Sequence, residues 1–153
     1  GTLRYFNVAG ADPAGRTGQS TPMATHLIKV ACEAAVGKRE GLAVYGTDYE
    51  TADGTCVRDY IHVADLARAH VKMLEFQLSG SHPSLTVNCG YGHGYSVRQV
   101  LEMVQDVSGR PLNLRMEGRR AGDPPALVAD NSYLRSLLDW VPEYDDLRTI
   151  VST

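Results

Sequence analysis

Two charged stretches hold the residues best suited to chemistry. The first is Asp53-Gly54-Thr55-Cys56-Val57-Arg58-Asp59-Tyr60-Ile61-His62-Val63-Ala64-Asp65-Leu66-Ala67, and the second is Gly118-Arg119-Arg120-Ala121-Gly122-Asp123-Pro124. A guanidinium is planar and permanently charged, and its forked donors grip phosphate or carboxylate oxygens two at a time. Arg58 and Arg120 could therefore hold an anionic ligand. They could equally be spent inside the protein, Arg58 on Asp59 or Asp65 and Arg120 on Asp123, as surface ion pairs commonly are.

Two further signals are weaker. Gly90-Tyr91-Gly92-His93-Gly94 sits between a strand pattern and a helix pattern, where a dinucleotide-binding loop would sit. Its third glycine comes two residues after the second instead of three, and no acidic residue closes a following strand about 20 residues on. It reads as a tight strand-to-helix turn. His62, Asp65 and His70 fall at helical intervals and suggest a metal, but no further strong ligand sits nearby. A histidine at a helix entry with an aspartate three residues on reads as a cap or ion pair, so no metal is expected.

The elements that position these residues alternate. Leu3 to Val8 reads as a strand, and Thr21-Pro22 as a helix start with proline where a missing N–H costs nothing. The helix then runs through the apolar stretch Ala24 to Val36 and stops at Gly37. Leu42 to Tyr45 is a strand, and Cys56 to Ile61 is extended. Ala64 to Leu78 shows helical spacing, and Leu85 to Cys89 is a strand. Ser96 caps a helix carrying Val97, Val100, Leu101, Val104 and Val107 on one stripe, closed by Gly109. Leu112 to Met116 is a strand, Asn131 caps a short helix through Leu138, and the last ten residues read as a helix cut off partway. Alternating strands and helices give an α/β fold with parallel pairing.

Composition narrows the function. The 153 residues suit one domain, and a net charge of −3 with no basic excess argues against electrostatic nucleic-acid binding. No apolar run is long enough to cross a membrane. Three widely spaced cysteines, Cys32, Cys56 and Cys89, suggest free thiols in a reducing cytoplasm.

Taken together with Leu3-Arg4-Tyr5-Phe6-Asn7, the two charged stretches resemble, in the same order from Leu3 to Leu147, the C-terminal half of the UDP-glucose 4-epimerase family of extended short-chain dehydrogenases/reductases. The resemblance implies a Rossmann-type α/β substrate-binding half, spanning residues 1–153 and incomplete on its N-terminal side and at its C-terminus. Residues 3–8 and 85–89 would belong to the sheet of a separate NAD-binding half. It also implies roles. Arg58 and Arg120 would ligand the diphosphate and Asp123 the ribose, with Tyr60 among the substrate-binding residues. Ala43, Val44 and Tyr45 would read the uracil, Tyr45 by stacking. Asn7 would contact the sugar, while Tyr5 and Phe6 would face the nicotinamide of NAD. His26-Leu27 would reach the diphosphate from a helix start, at a place where the family often has asparagine before the leucine. Leu127 stands where the bacterial pattern has a tyrosine lining the sugar pocket, which implies room for an N-acetylated hexose.

Such epimerases oxidise and re-reduce C4 of a UDP-glucose or UDP-galactose using bound NAD and a Tyr–Lys pair. No Tyr-x-x-x-Lys and no glycine-rich cofactor loop occurs here. The expectation is a chain that anchors UDP but is inactive alone, from a cytoplasmic homodimer, its apolar strand edges inviting self-association or a partner that completes the sheet. The alternatives are a non-catalytic UDP-sugar-binding module, or another reductase of nucleotide sugars such as a dehydratase or decarboxylase. Neither a nucleic acid nor a membrane is expected as partner.

Overall fold

The apolar run near the start does not form one strand. In the computed structural model, which describes residues 1–80 and 84–153, it breaks at Tyr5-Phe6 into β1 (Thr2–Arg4) and β2 (Asn7–Ala9). The two pieces have different partners: β1 lies parallel to β6 (Thr86–Asn88), and β2 lies parallel to β5 (Tyr60–His62). The expected extended stretch from Cys56 likewise divides, into β4 (Val57–Arg58) and β5. A third parallel pair joins β3 (Leu42–Tyr45) to β8 (Leu114–Glu117). The exception to parallel pairing is β4, which runs antiparallel to β7 (Tyr95–Ser96) while lying parallel to β9 (Ala126–Leu127).

Helices close over these strands. α1 spans Leu27–Ala35, five residues beyond the proline expected to open it, because Met23 takes a left-handed φ of 57° and turns the chain first. Its end is as read from sequence: Gly37, at φ 79°, directs its N–H to Ala34 and that of Lys38 to Glu33, which satisfies two terminal carbonyls. α2 (Val63–Leu78) opens on His62, whose Nδ1 accepts from the Ala64 amide at 3.1 Å, so that histidine is a cap. α3 (Val97–Ser108) opens on a reciprocal pair in which Ser96 Oγ accepts from the Gln99 amide and Gln99 Oε1 accepts from the Ser96 amide. α4 (Ser132–Leu137) starts after Asn131, but the Asn131 side chain does not cap it. Its Nδ2 donates to the Gly90 carbonyl at 2.7 Å, and Asp130 takes the Ser132 amide instead. α5 (Leu147–Ser152) is capped by Asp146.

The core lies between α1, α3 and α5 and the inner faces of β3, β5 and β6, around Ile61, Val87, Val100, Val104, Leu134 and Ile150. The two buried aspartates of the first charged stretch hold this frame together. Asp59, 2% exposed, accepts the amides of Tyr91, Gly92 and Ala129. Asp65, fully buried, accepts from Tyr91 Oη, from the amides of Glu143 and Tyr144, and from Arg68. The glycine-rich turn is thus tied down by Asp59, leaving the Tyr91 and Gly92 amides no capacity for a phosphate. Gly90 sits so close that a β-carbon there would lie 2.5 Å from Asp59 Oδ2. Asp53 and Thr55 are also structural. Burial pushes the Asp53 carboxyl up, but hydrogen bonds from Ser96 and Thr55 outweigh it and hold it below its usual value.

Candidate functional site

Arg58 reaches its place from β4, and none of its expected internal partners holds it. Asp59 is turned inward onto backbone amides and Asp65 pairs with Arg68. The Arg58 side chain, 12% exposed, instead donates to the Val57 and Pro124 carbonyls at 2.8 and 2.9 Å and approaches Asp123 Oδ1 at 3.4 Å. Arg120 forms no ion pair with Asp123 either. Its guanidinium carbon lies 3.7 Å from the centre of the Tyr45 ring. Its neighbour Arg119 is the one spent internally, on Asp48 and over the Tyr49 ring. The tandem arginines therefore diverge, one into the protein surface and one over Tyr45.

Arg58 and Arg120 line a single cavity of about 440 Å³. The same cavity is lined by Asn7, His26, Leu27, Ala43, Tyr45, Tyr60 and Asp123, so nine of the residues named from sequence converge. Val44 belongs to the same strand, but its side chain is 3% exposed and faces the core, leaving only its backbone for a ligand. Leu127 pairs with Arg58 across β4 and β9 and lines neither of the two cavities described here. Tyr5 and Phe6 line the larger cavity, of about 900 Å³, together with Val8, Ile28 and Val151. Asn7, His26, Leu27 and Tyr60 line both, so the two spaces adjoin.

Several features give this cleft its chemistry. α1 points its first turn at the junction of the two cavities. His26 occupies the N-cap position without capping; its Nδ1 is taken by Gln19 at 2.7 Å. An uncapped helix start offers free N–H groups and a positive dipole end, a setting suited to an anion. Burial pushes the Tyr60 phenol well above its usual value, partly opposed by Arg58, so the group stays neutral. Sequence reasoning missed Arg39, Arg115 and Cys56 in the lining. Arg39 is committed to Glu33, on α1. Cys32, Cys56 and Cys89 are all free, and burial pushes the Cys89 thiol up to about 12. Among the described residues no cluster of His, Cys, Asp and Glu is placed to hold a metal, and no helix is long and apolar enough to cross a membrane.

A Rossmann-type α/β unit with a cationic cleft beside an aromatic strand end is what fold and site define. Residues 1–90 match the NAD dependent epimerase/dehydratase family, and the chain belongs to it. A UDP-glucose 4-epimerase of Azospirillum brasilense is 60% identical over 97% of this chain. The UDP-glucose 4-epimerase from Brucella ovis, solved in complex with NAD, superposes with a TM-score of 0.93 at 48% identity, over 97% of this chain. That from Bifidobacterium longum, solved with NAD+ and UDP, gives 0.87 at 37% identity over 98% of this chain. The chain spans 42% of the Azospirillum protein, 46% of the Brucella chain and 44% of the Bifidobacterium chain.

Proposed function

We propose that this chain is the UDP-anchoring part of a UDP-glucose 4-epimerase, an isomerase that interconverts UDP-glucose and UDP-galactose through a 4-keto sugar. The observation that carries this is the meeting of Arg58 and Arg120 in one cavity with Tyr45, Arg58 touching Asp123 at 3.4 Å and Arg120 lying over the Tyr45 ring without an ion pair to Asp123. Two guanidinium forks and the uncapped start of α1 suit the two adjacent charges of a diphosphate. Tyr45 and Ala43 would flank the uracil, Asp123 would accept from the ribose, and Asn7 would lie at the sugar end. A sugar that must present both faces in turn can be held only loosely, so affinity has to come from the non-reacting nucleotide. Arg58, Arg120 and Tyr45 are placed for that.

The residues present fit only one end of the cofactor. Tyr5 and Phe6, each 43% exposed on the wall of the larger cavity, offer an apolar surface for a nicotinamide ring. The glycine-rich turn at Gly90-Tyr91-Gly92 offers no phosphate site beside them, since its Tyr91 and Gly92 amides are taken by Asp59. Bound NAD supplies the hydride chemistry in such enzymes. The Tyr–Lys pair that moves the proton of the 4-hydroxyl has no counterpart in this sequence. The intact enzyme would be a cytoplasmic homodimer whose NAD-binding half completes the β1–β6 sheet.

Calorimetric titration of the 153-residue chain tests the reading: UDP is expected to bind and NAD not to, with no epimerase activity. Absence of UDP binding overturns the anchor. By the resemblance alone, since Leu127 lines neither cavity described here, leucine at 127 is expected to mark an enzyme that also turns over UDP-GlcNAc. Good turnover of UDP-glucose beside none of UDP-GlcNAc by the full-length enzyme would reject that role.

A further inference from the structure

One arginine in the cleft has no task inside the protein. β3 and β8 pair in register, Ala43 opposite Arg115 and Tyr45 opposite Glu117, and residues paired this way share a face of the sheet. Leu42 and Val44 point into the core, which turns Ala43, Tyr45 and Arg115 outward, and all three line the smaller cavity. Arg119 and Arg39 are spent on Asp48 and Glu33. Among the described residues, nothing accepts a hydrogen bond or ion pair from the Arg115 guanidinium. Its donors are available to a ligand.

We propose that Arg115 is a further nucleotide-binding residue, donating to a carbonyl oxygen on the edge of the pyrimidine base whose diphosphate Arg58 and Arg120 hold. The proposal rests on the UDP-anchor reading above. Its geometry comes from the strand pair. Tyr45 and Ala43 are two residues apart on one face, a separation of roughly 6.6 Å. A base packed beside Tyr45, on the ring face away from Arg120, would extend over the small Ala43 side chain towards Arg115. A guanidinium only donates, so it pairs with the C4 carbonyl oxygen of uracil and rejects the exocyclic amine that cytosine carries at that position. Arg115 would thus add discrimination between bases to a site whose affinity comes from phosphate contacts.

Arg115→Ala in the 153-residue chain, titrated with UDP, UMP and CDP, tests this. UDP and UMP are both expected to weaken by about 10-fold, the effect of one charge-assisted hydrogen bond, because the contact lies on the base they share. CDP affinity is expected to stay nearly constant, so the preference for UDP narrows. The melting temperature should not move, since the side chain makes no internal bond. Unchanged UDP affinity beside normal wild-type binding overturns the role of Arg115 alone. An equal loss for UDP and CDP overturns base discrimination. A loss for UDP but not UMP would place the contact on the phosphates and also overturn the proposal. A wild-type chain that binds no UDP removes the anchor reading itself, and this proposal with it.

Discussion

Replacing Asp59 with alanine is expected to destabilise the fold by about 3 kcal/mol or more, because three backbone amides lose their acceptor and each unsatisfied buried donor costs at least about 1 kcal/mol. The three belong to Tyr91, Gly92 and Ala129, and the carboxylate that receives them is 2% exposed. Water cannot easily replace it, because Gly90 and Ala129 close directly over the carboxylate. Set against the roughly 5–15 kcal/mol that stabilises a typical domain, the loss is a large fraction of the whole. Asp59→Asn keeps one acceptor oxygen and should fall between the two. Urea midpoints with an unchanged slope measure the series. An alanine variant within about 1 kcal/mol of wild type would show that the turn is held by something other than this carboxylate.

Arg58→Ala is expected to weaken UDP binding about 100-fold, the loss of two charge-assisted hydrogen bonds at about 1.5 kcal/mol each. Arg58→Lys should recover little, since an ammonium cannot reproduce the planar fork. UMP should lose much less than UDP in either variant, because the second phosphate is what the fork would grip. Calorimetric titration read beside thermal melting separates binding from folding, for Arg58 also ties Val57 and Pro124. UDP affinity within threefold of wild type in a folded Arg58→Ala chain would remove the clamp.

Much of the fold was legible because local and global preferences agree. α2 and α3 show their apolar period, and Ser96 and Gly109 mark the ends of α3 in sequence as they do in space. Where a choice depends on distant partners, sequence reading fails. Leu3 to Val8 looks like one strand, and only the competing pairings with β5 and β6 divide it at Tyr5-Phe6. Thr21-Pro22 satisfies the local rule for a helix start, yet the left-handed turn at Met23 defers the helix. β7 and β9 are each two residues long and exist only by leaning on β4. The site divides the same way. The convergence of Arg58 and Arg120 could be expected from resemblance, whereas Arg115 enters only through the register of β3 against β8, which no local pattern encodes. The fates of the aspartates were also invisible locally: Asp59 and Asp65 chose amides and Arg68 over the adjacent arginine.

The carbonyls of Val57 and Pro124 hold the Arg58 fork in one orientation, whereas Arg115 has no such anchor. Freezing a long side chain on association costs about 0.5–1.5 kcal/mol, and for Arg58 most of that ordering is already done during folding. Capture of a nucleotide should thus carry an unequal entropic signature along its length, with little motional loss where β4 meets the ligand and more where β8 does.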